Sequence, residues 1–523
     1  MVFSEEGATS QEQDSGRLSE RFDSNLEQFQ RMLGESPDIT IRRFVFDSGP
    51  NIKAAVIFLE TMADRDLIQE NVLNPLKTGT AQIDMKELKP RQFTAFIQSE
   101  LATVCDVKVE MGFQGAGESI LAGDTVFIID GHNEAFIFGT RKRIHRGIDM
   151  PETEVTIRGP RESFVEAIDT NISLLRRRIS HPDLRLENYK AGKKTNTSIS
   201  LLYLKGVVNE KIVAEIRTRL SRIQIDGILG AGYIEQLIGD APFSPFSTVS
   251  YSERPDSVAG KILEGRVAIL IDGTPEVLTV PSLLIESFQN PDDYNFNPYF
   301  ATLIRWIRYI AFGISILGPA AYIALASYNQ ELIPTPLFIN MAAGAAGTPY
   351  PVIVEVLIIG LLFEIFREAG VRLPRPFGQG ISFVVALVLA QASVSMGLTG
   401  VTTVVVVSIT AIASFVIPNQ ANTSILIRLL MVILASFFGA YGILLGFLWV
   451  LAHLASLRSF GVPFLSPIAP FHSKGYQQDV ILKTPLWASF FRPRVIGWHN
   501  PRRLDSGRAP SPPRDKEEQD NGD

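Results

Sequence analysis

The chain has a single cysteine, Cys105, among 523 residues, so no disulfide can form within it, as suits a reducing compartment. No metal or catalytic partner lies near Cys105 in sequence, and the residue reads as a small buried hydrophobe. Also missing are a Gly-Lys-Ser/Thr phosphate loop, a paired-histidine zinc motif and a Gly-x-Ser-x-Gly elbow. Gly115-Ala116-Gly117-Glu118-Ser119 has the glycines of a phosphate loop but no lysine after them, and reads as a plain loop. Catalysis, a cofactor and a bound metal are therefore not expected. The first residues, Met1-Val2-Phe3-Ser4-Glu5-Glu6, lack a basic n-region and an apolar h-region, so they do not form a secretory signal. The net charge of −6 says little about partners, and with nothing resembling a basic stripe no nucleic-acid partner is expected.

The most telling absence is charge. Residues 376–427 contain no Asp, Glu, Lys or Arg, and residues 309–457 are dominated by apolar runs. Several such runs in succession call for lipid as the solvent. The expected fold class is a polytopic α-helical membrane protein preceded by a cytoplasmic α/β region of two related subdomains.

Within the charge-rich part, residues 53–59 read as a buried strand and residues 65–76 as an amphipathic helix. The same order returns at 198–204, followed by a helix through Ile212, Ile216 and Leu220. Two hairpins repeat as well. Asp130-Gly131 joins runs at 123–130 and 135–138, and Asp272-Gly273 joins runs at 265–272 and 276–280. Asp-Gly suits a tight hairpin because both central positions tolerate positive φ. Between these halves a helix carrying Phe164, Ile168, Ile172 and Leu175 ends in Arg176-Arg177-Arg178. It reads either as a connecting helix with a solvated basic end or as a docking surface for a subunit or anionic headgroups. The expected order is a flexible extension (1–37), a first α/β subdomain (38–150), a connecting helix and linker (151–195) and a second subdomain (196–298). A transmembrane bundle (299–457), a cytoplasmic segment (458–504) and a disordered tail (505–523) complete it.

In the bundle, Arg305, Trp306 and Arg308 precede an apolar run at 309–326 and mark a cytoplasmic interface; Pro319 within the run predicts a kink or a protein-facing helix. Residues 336–351, rich in Ala, Gly and Pro, read as a re-entrant segment. Further runs lie at 352–366, 381–396 and 401–417, and the run at 429–451 is long enough to cross alone. Five crossings would place the basic C-terminal segment outside. Its Arg458, Lys474, Lys483, Arg492 and Arg494 argue for inside, so an even count, four, is preferred.

Ionisable residues at membrane depth are costly and face partners, pores or cavities. The candidates are Glu355, Glu364 and Glu368, with Arg367, Arg372 and Arg375 as counter-charges. Glu355 and Glu364 are nine residues apart and fall on opposite helix faces. Either these charges fix a helix end by salt bridges, or they form a cation-attracting ring in an oligomer, with Glu355 the better ring candidate because no basic residue neighbours it. Gly439, Gly442 and Gly446 thin one side of the last helix, for close packing or for gating.

Several motifs together resemble the GerA family of spore germination receptor A subunits. The hallmark run is Phe363-Glu364-Ile365-Phe366-Arg367-Glu368-Ala369-Gly370, continuing as Val371-Arg372-Leu373-Pro374-Arg375-Pro376-Phe377-Gly378-Gln379. With it stand Arg158-Gly159-Pro160-Arg161-Glu162, Asn171, Pro242-Phe243-Ser244-Pro245-Phe246, Glu253-Arg254-Pro255-Asp256 and Asp272-Gly273-Thr274-Pro275. His453-Leu454-Ala455-Ser456-Leu457-Arg458-Ser459-Phe460-Gly461-Val462-Pro463 follows the last apolar run. The resemblance implies a multi-pass protein of the spore inner membrane, both termini cytoplasmic, working with a B subunit and a lipoprotein C subunit. It further implies a homo-oligomeric ring whose helices form a nutrient-gated cation-release channel among membrane lipid. A paralogue encoded with the dipicolinate-release proteins carries the same motifs. Two other readings stand behind the channel: a secondary transporter, suggested by the broken segment at 342–351, and a non-conducting scaffold for germination proteins.

Overall fold

The computed structural model describes residues 16–46, 52–75, 106–142, 156–372, 391–470 and 479–489, with residues 151, 154, 388, 491, 492, 496, 500, 502 and 503. The chain divides into two compact units. Residues 1–238, 249–281 and 491–503 form the first, and residues 239–248, 282–490 and 504–523 the second.

In the first unit, β-branched and aromatic residues dominate the central strands, as burial on both faces requires. One antiparallel sheet runs β1-β2-β4-β5-β3, built from Ile39–Phe46 (β1), Ile52–Leu59 (β2), Val107–Glu110 (β3), Thr125–Ile129 (β4) and Ala135–Phe138 (β5). The other runs β6-β7-β9-β10-β8, from Leu184–Ala191 (β6), Thr197–Leu204 (β7), Ser250–Ser252 (β8), Val267–Ile271 (β9) and Val277–Val280 (β10). Shifting each strand number by five turns one order into the other. Gly131 and Gly273, after the two aspartates, take φ of +80° and +84°.

The likeness extends to single hydrogen bonds. The Asn25 amide spans the backbone of Ser19, accepting from its N–H at 2.9 Å and donating to its carbonyl at 2.6 Å. Asn171 does the same to Val165 at 2.8 and 2.6 Å. Asp130 accepts from Phe22 N–H, and Asp272 from Ile168 N–H, both at 3.3 Å. The helix Phe22–Leu33 (α1) thus holds in its half the place that Ile168–Arg178, the helix ending in three arginines, holds in the other. This corrects the expectation of a flexible extension through residue 37. Phe22, Leu26, Phe29 and Leu33 form a buried stripe at helical spacing, and a mean composition rich in polar residues conceals it. Gly115–Ser119, expected as a loop, lies within the helix Phe113–Leu121 because Phe113, Ala116, Gly117, Ile120 and Leu121 bury one face.

The solvated basic end expected of the connecting helix holds at Arg177, which is exposed, but is overturned at Arg176. Arg176 is fully buried, its Nε and Nη2 on the two carboxylate oxygens of Asp38 at 2.9 and 3.0 Å, Nη2 also on Ser36 Oγ and Nη1 on the Leu184 carbonyl. The two halves of the unit are pinned by a two-pronged charged bond shielded from water. Nearby, Gly34 ends α1 at φ +75°, where any Cβ would strike the Arg185 guanidinium. Elsewhere Arg217, donating to Glu187 at 2.9 Å, holds that carboxyl down to about 2.

The second unit is helical: Pro298–Ser327 (α2), Thr335–Ala345 (α3), Val352–Arg372 (α4), Val401–Phe415 (α5) and Ala421–Ser456 (α6). Residues 282–298, expected to close the second subdomain, belong here, since Leu284 and Phe288 bury in the cluster of Ile316, Ile323 and Met431. Pro319 is buried within α2, on its protein-facing side. Among the described residues, two helical stretches, Pro298–Ser327 and Pro418–Ser456, suffice by length and composition to cross a membrane.

The last helix is not one rod. Gly439 has φ +58° and ψ −136°, and the chain reverses there. Gly446 approaches Met431, fifteen positions earlier, so closely that a Cβ would lie 2.7 Å from its sulfur. At the far ends, Thr423 donates to the Pro245 carbonyl at 2.8 Å while His453 Nε2 meets Ser244 Oγ at 2.9 Å. Both ends of α6 therefore reach the same two adjacent residues, Ser244 and Pro245, and α6 is a hairpin of two arms, each about 26 Å at about 1.5 Å per residue. The expectation of one crossing over 429–451 missed this, because hydropathy averages over a reversal made of a single glycine.

Charged groups gather at the opposite end of α2 from its Tyr328. Arg305 is fully buried on Asp479 and Asp293, at 3.0 and 3.2 Å. Arg308 reaches Asp293 at 2.7 Å, and Lys483 sits 3.5 Å above the Tyr294 ring. Trp306 and Tyr309 donate to the carbonyls of Ile481 and Val480. The C-terminal segment is thus fastened to the start of α2. Arg375, Cys105, most of 381–396 and the 505–523 tail lie outside the described residues.

Two outcomes are expected. Arg176→Ala strands Asp38 in the interior and lowers the stability of the first unit by about 3–5 kcal/mol in denaturant unfolding; a change within experimental error would contradict the buried pin. On a Cys105→Ser background in sealed vesicles, Asn422→Cys and Ser456→Cys are labelled from one side and Gln330→Cys from the other. Labelling of Asn422→Cys and Ser456→Cys from opposite sides would show a single crossing.

Candidate functional site

Glu355 lies in the first turn of α4, and only 1% of it is exposed. Its Oε2 accepts from the Gly400 N–H at 2.9 Å and from Thr403 Oγ1 at 2.7 Å. Gly400 is the N-cap of α5, so the carboxylate occupies the positive end of that helix. The one proton of Thr403 goes to Glu355, so Tyr322 of α2 must donate to Thr403, at 3.1 Å. A relay Tyr322–Thr403–Glu355 results. Oε1 is buried and has no hydrogen-bond partner among the described residues.

No cation answers this charge from the packed helices. α3 and α5 carry no charged residue. The charges of α2, Arg305 and Arg308, are engaged with Asp293 and Asp479. Among the described residues no basic side chain meets Glu355 either, and hydrogen bonds and the helix end compensate it.

Glu364 behaves differently. It pairs with Arg367 at 3.0 Å along α4 and with Arg428 from the first arm of α6. Arg428 was not among the candidates from sequence, because it stands 64 positions away behind an uncharged stretch. Its only signal was being the first charge after that stretch. Glu355 thus turns to α5 and Glu364 to α6, as a nine-residue spacing dictates. Glu368 is exposed one turn further along α4, and Arg372 contributes its backbone to the same helix. Gly439, Gly442 and Gly446 gather where the α6 arms meet. A Cβ on Gly439 would press on the Tyr328 ring at 2.8 Å, and one on Gly442 would overlap the Leu434 carbonyl.

A cleft of about 800 Å³ opens in the first unit, lined by Asp38, Asp64, Asp169, Asn188 and Lys190 among others. Its mixed signs assign it no ligand class.

A sequence profile of the Bacillus/Clostridium GerA spore germination protein family matches residues 27–495. The chain is 39% identical to spore germination protein KA of Bacillus subtilis (strain 168), over 95% of this chain and 90% of that protein. It is 37% identical to the uncharacterized membrane protein YfkQ of the same organism, over 96% and 95%. Among solved structures it is similar to the crystal structure of the N-terminal domain of the A subunit of the Bacillus megaterium spore germinant receptor GerK3. That match is 35% identical, covers 51% of this chain and 97% of that one, and has a TM-score of 0.40.

A double-mutant cycle on Glu364→Gln and Arg428→Met, read by thermal unfolding in detergent, is expected to give a coupling of about 1 kcal/mol or more. Additive effects would contradict the ion pair.

Proposed function

Because the chain belongs to the Bacillus/Clostridium GerA spore germination family, we propose that it is the A subunit of a nutrient-responsive germinant receptor and that its apolar unit conducts cations. In this reading it resides in the spore inner membrane, acts with B and C subunits, and assembles with copies of itself into a ring. Nutrient binding on a partner shifts that ring from closed to open through contacts that differ between the two states.

The observation that carries the conducting role is Glu355, a carboxylate inside an apolar helical unit with no counter-cation among the described residues of the helices packed against it. Such groups at membrane depth serve ion and proton pathways far more readily than stability. The α6 hairpin and the clasp between Arg305 and Asp479 support an even number of crossings, with the C-terminal segment returning to the side where α2 begins. Aromatic residues fit the two interfaces: Trp306 near the start of α2, and Tyr328, Phe437, Phe438 and Tyr441 around the hairpin apex. Trp306 and Tyr328 are separated along α2 by roughly 33 Å, close to a bilayer's hydrocarbon thickness.

In spores carrying the chain as their only A-type subunit, Glu355→Ala is expected to slow nutrient-triggered cation release severalfold. Glu368→Ala, on an exposed position, should change it little. Equal and negligible effects of both, with normal amounts of each protein in the spore membrane, would remove Glu355 from the conducting machinery.

A further inference from the structure

We propose that Glu355 is the anionic ligand of a binding site for a dehydrated alkali cation, sodium or potassium, placed where the end of α3 meets the start of α5. The proposal deepens the reading above and rests on it for the membrane setting. Its first support is a pair of orphaned buried oxygens. Glu355 Oε1 is buried and unpartnered among the described residues, and so is Thr399 Oγ1, on the residue before Gly400.

The second support is the convergence of oxygens. A Cβ on Gly400 would stand 3.5 Å from Glu355 Oε2, 3.8 Å from the Gly344 carbonyl oxygen and 3.9 Å from Thr403 Oγ1, the nearest described atoms beyond its adjoining residues. Carboxylate, carbonyl and hydroxyl thus surround a point that glycine leaves free of side chain. The Gly344 carbonyl belongs to the last turn of α3, the negative end of its dipole. Gly397, at φ +65°, holds the other side of the break close to the Gly347 carbonyl. Ends of interrupted helices offering carbonyls beside one acidic side chain are how membrane proteins strip and hold small cations.

The donor set selects the ligand. The ligands named are all hard oxygens, which rules against soft or borderline metals. With one carboxylate, already half compensated by the α5 N-terminus, the site matches a single positive charge and falls short of what a divalent ion requires.

The test is thermal unfolding of the full-length chain in lipid nanodiscs, in sodium, potassium or N-methylglucamine chloride at equal ionic strength and fixed pH. Wild type is expected to gain saturable stability in at least one alkali salt over N-methylglucamine. Glu355→Gln keeps an acceptor for Gly400 and Thr403 but should lose the gain. Thr403→Val should raise the half-saturating concentration roughly 10- to 100-fold. Gly400→Ala, whose methyl enters the site with Glu355 intact, should weaken binding likewise and guards against misfolding of the glutamine variant. Equal stability of wild type in all three salts, or an undiminished response in both Glu355→Gln and Gly400→Ala, overturns the site. In a second series over pH, a response to pH with none to the salts means that the carboxyl takes a proton and also overturns it. Since unfolding requires no transport, a cation response without flux in vesicles keeps the site while removing the channel. Flux without a cation response removes the site alone.

Discussion

A carboxylate placed among apolar helices must be compensated where it stands, and in this chain the compensation of Glu355 shapes everything around it. No cationic side chain is supplied. The α5 N-terminus is brought to it, which requires a helix to begin at that depth and an uncapped glycine, Gly400, to let the backbone N–H approach. Thr403 completes the cap one turn later, and Tyr322 fixes the threonine from a third helix. The interruptions at 346–351 and 397–400, which weaken the apolar runs as crossing helices, are the places where polar backbone is needed. A straight, uninterrupted helix in either position would leave the charge alone.

The rest of the second unit sorts charge by depth. Arg305, Arg308, Asp293, Asp479 and Lys483 collect around the first turns of α2, and the apolar hairpin of α6 turns back at Gly439 far from them. Gly442 and Gly446 allow the two arms to lie against each other, and Met431 fills the space beside Gly446. Glu364 holds Arg367 and Arg428 between these levels. Glu355 and Glu364, on one helix, are therefore compensated differently, as decided by which neighbour each faces.

Much of the first unit was legible because its signals are local. Asp-Gly turns, buried strand runs and their spacing mark both sheets, and the repeated hydrogen bonds of Asn25 and Asn171 follow from the same short segments. The stripe of Phe22, Leu26, Phe29 and Leu33 was equally present, but it is diluted by Asp, Glu, Gln and Arg on the solvated face. Partners distant in sequence were not legible. Nothing local tells Arg176 that Asp38, 138 positions earlier, will bury it, or pairs Glu364 with Arg428. Three glycines at helical spacing were visible as a packing face. That one of them takes positive φ and reverses the chain depends on Tyr328 and Met431, which only the folded unit brings near. Glu355 was legible through the absence of basic neighbours, whereas its partner Gly400 was not.

The central claim is that this subunit carries cations through its apolar unit and that Glu355 takes part. It is tested most directly by alkali-cation efflux from liposomes holding the purified full-length chain together with its partner subunits, triggered by nutrient. The account predicts efflux above that of protein-free liposomes, reduced severalfold by Glu355→Gln at equal incorporation. Efflux no greater than from empty liposomes with the complex assembled, or efflux unchanged by that substitution, would contradict it.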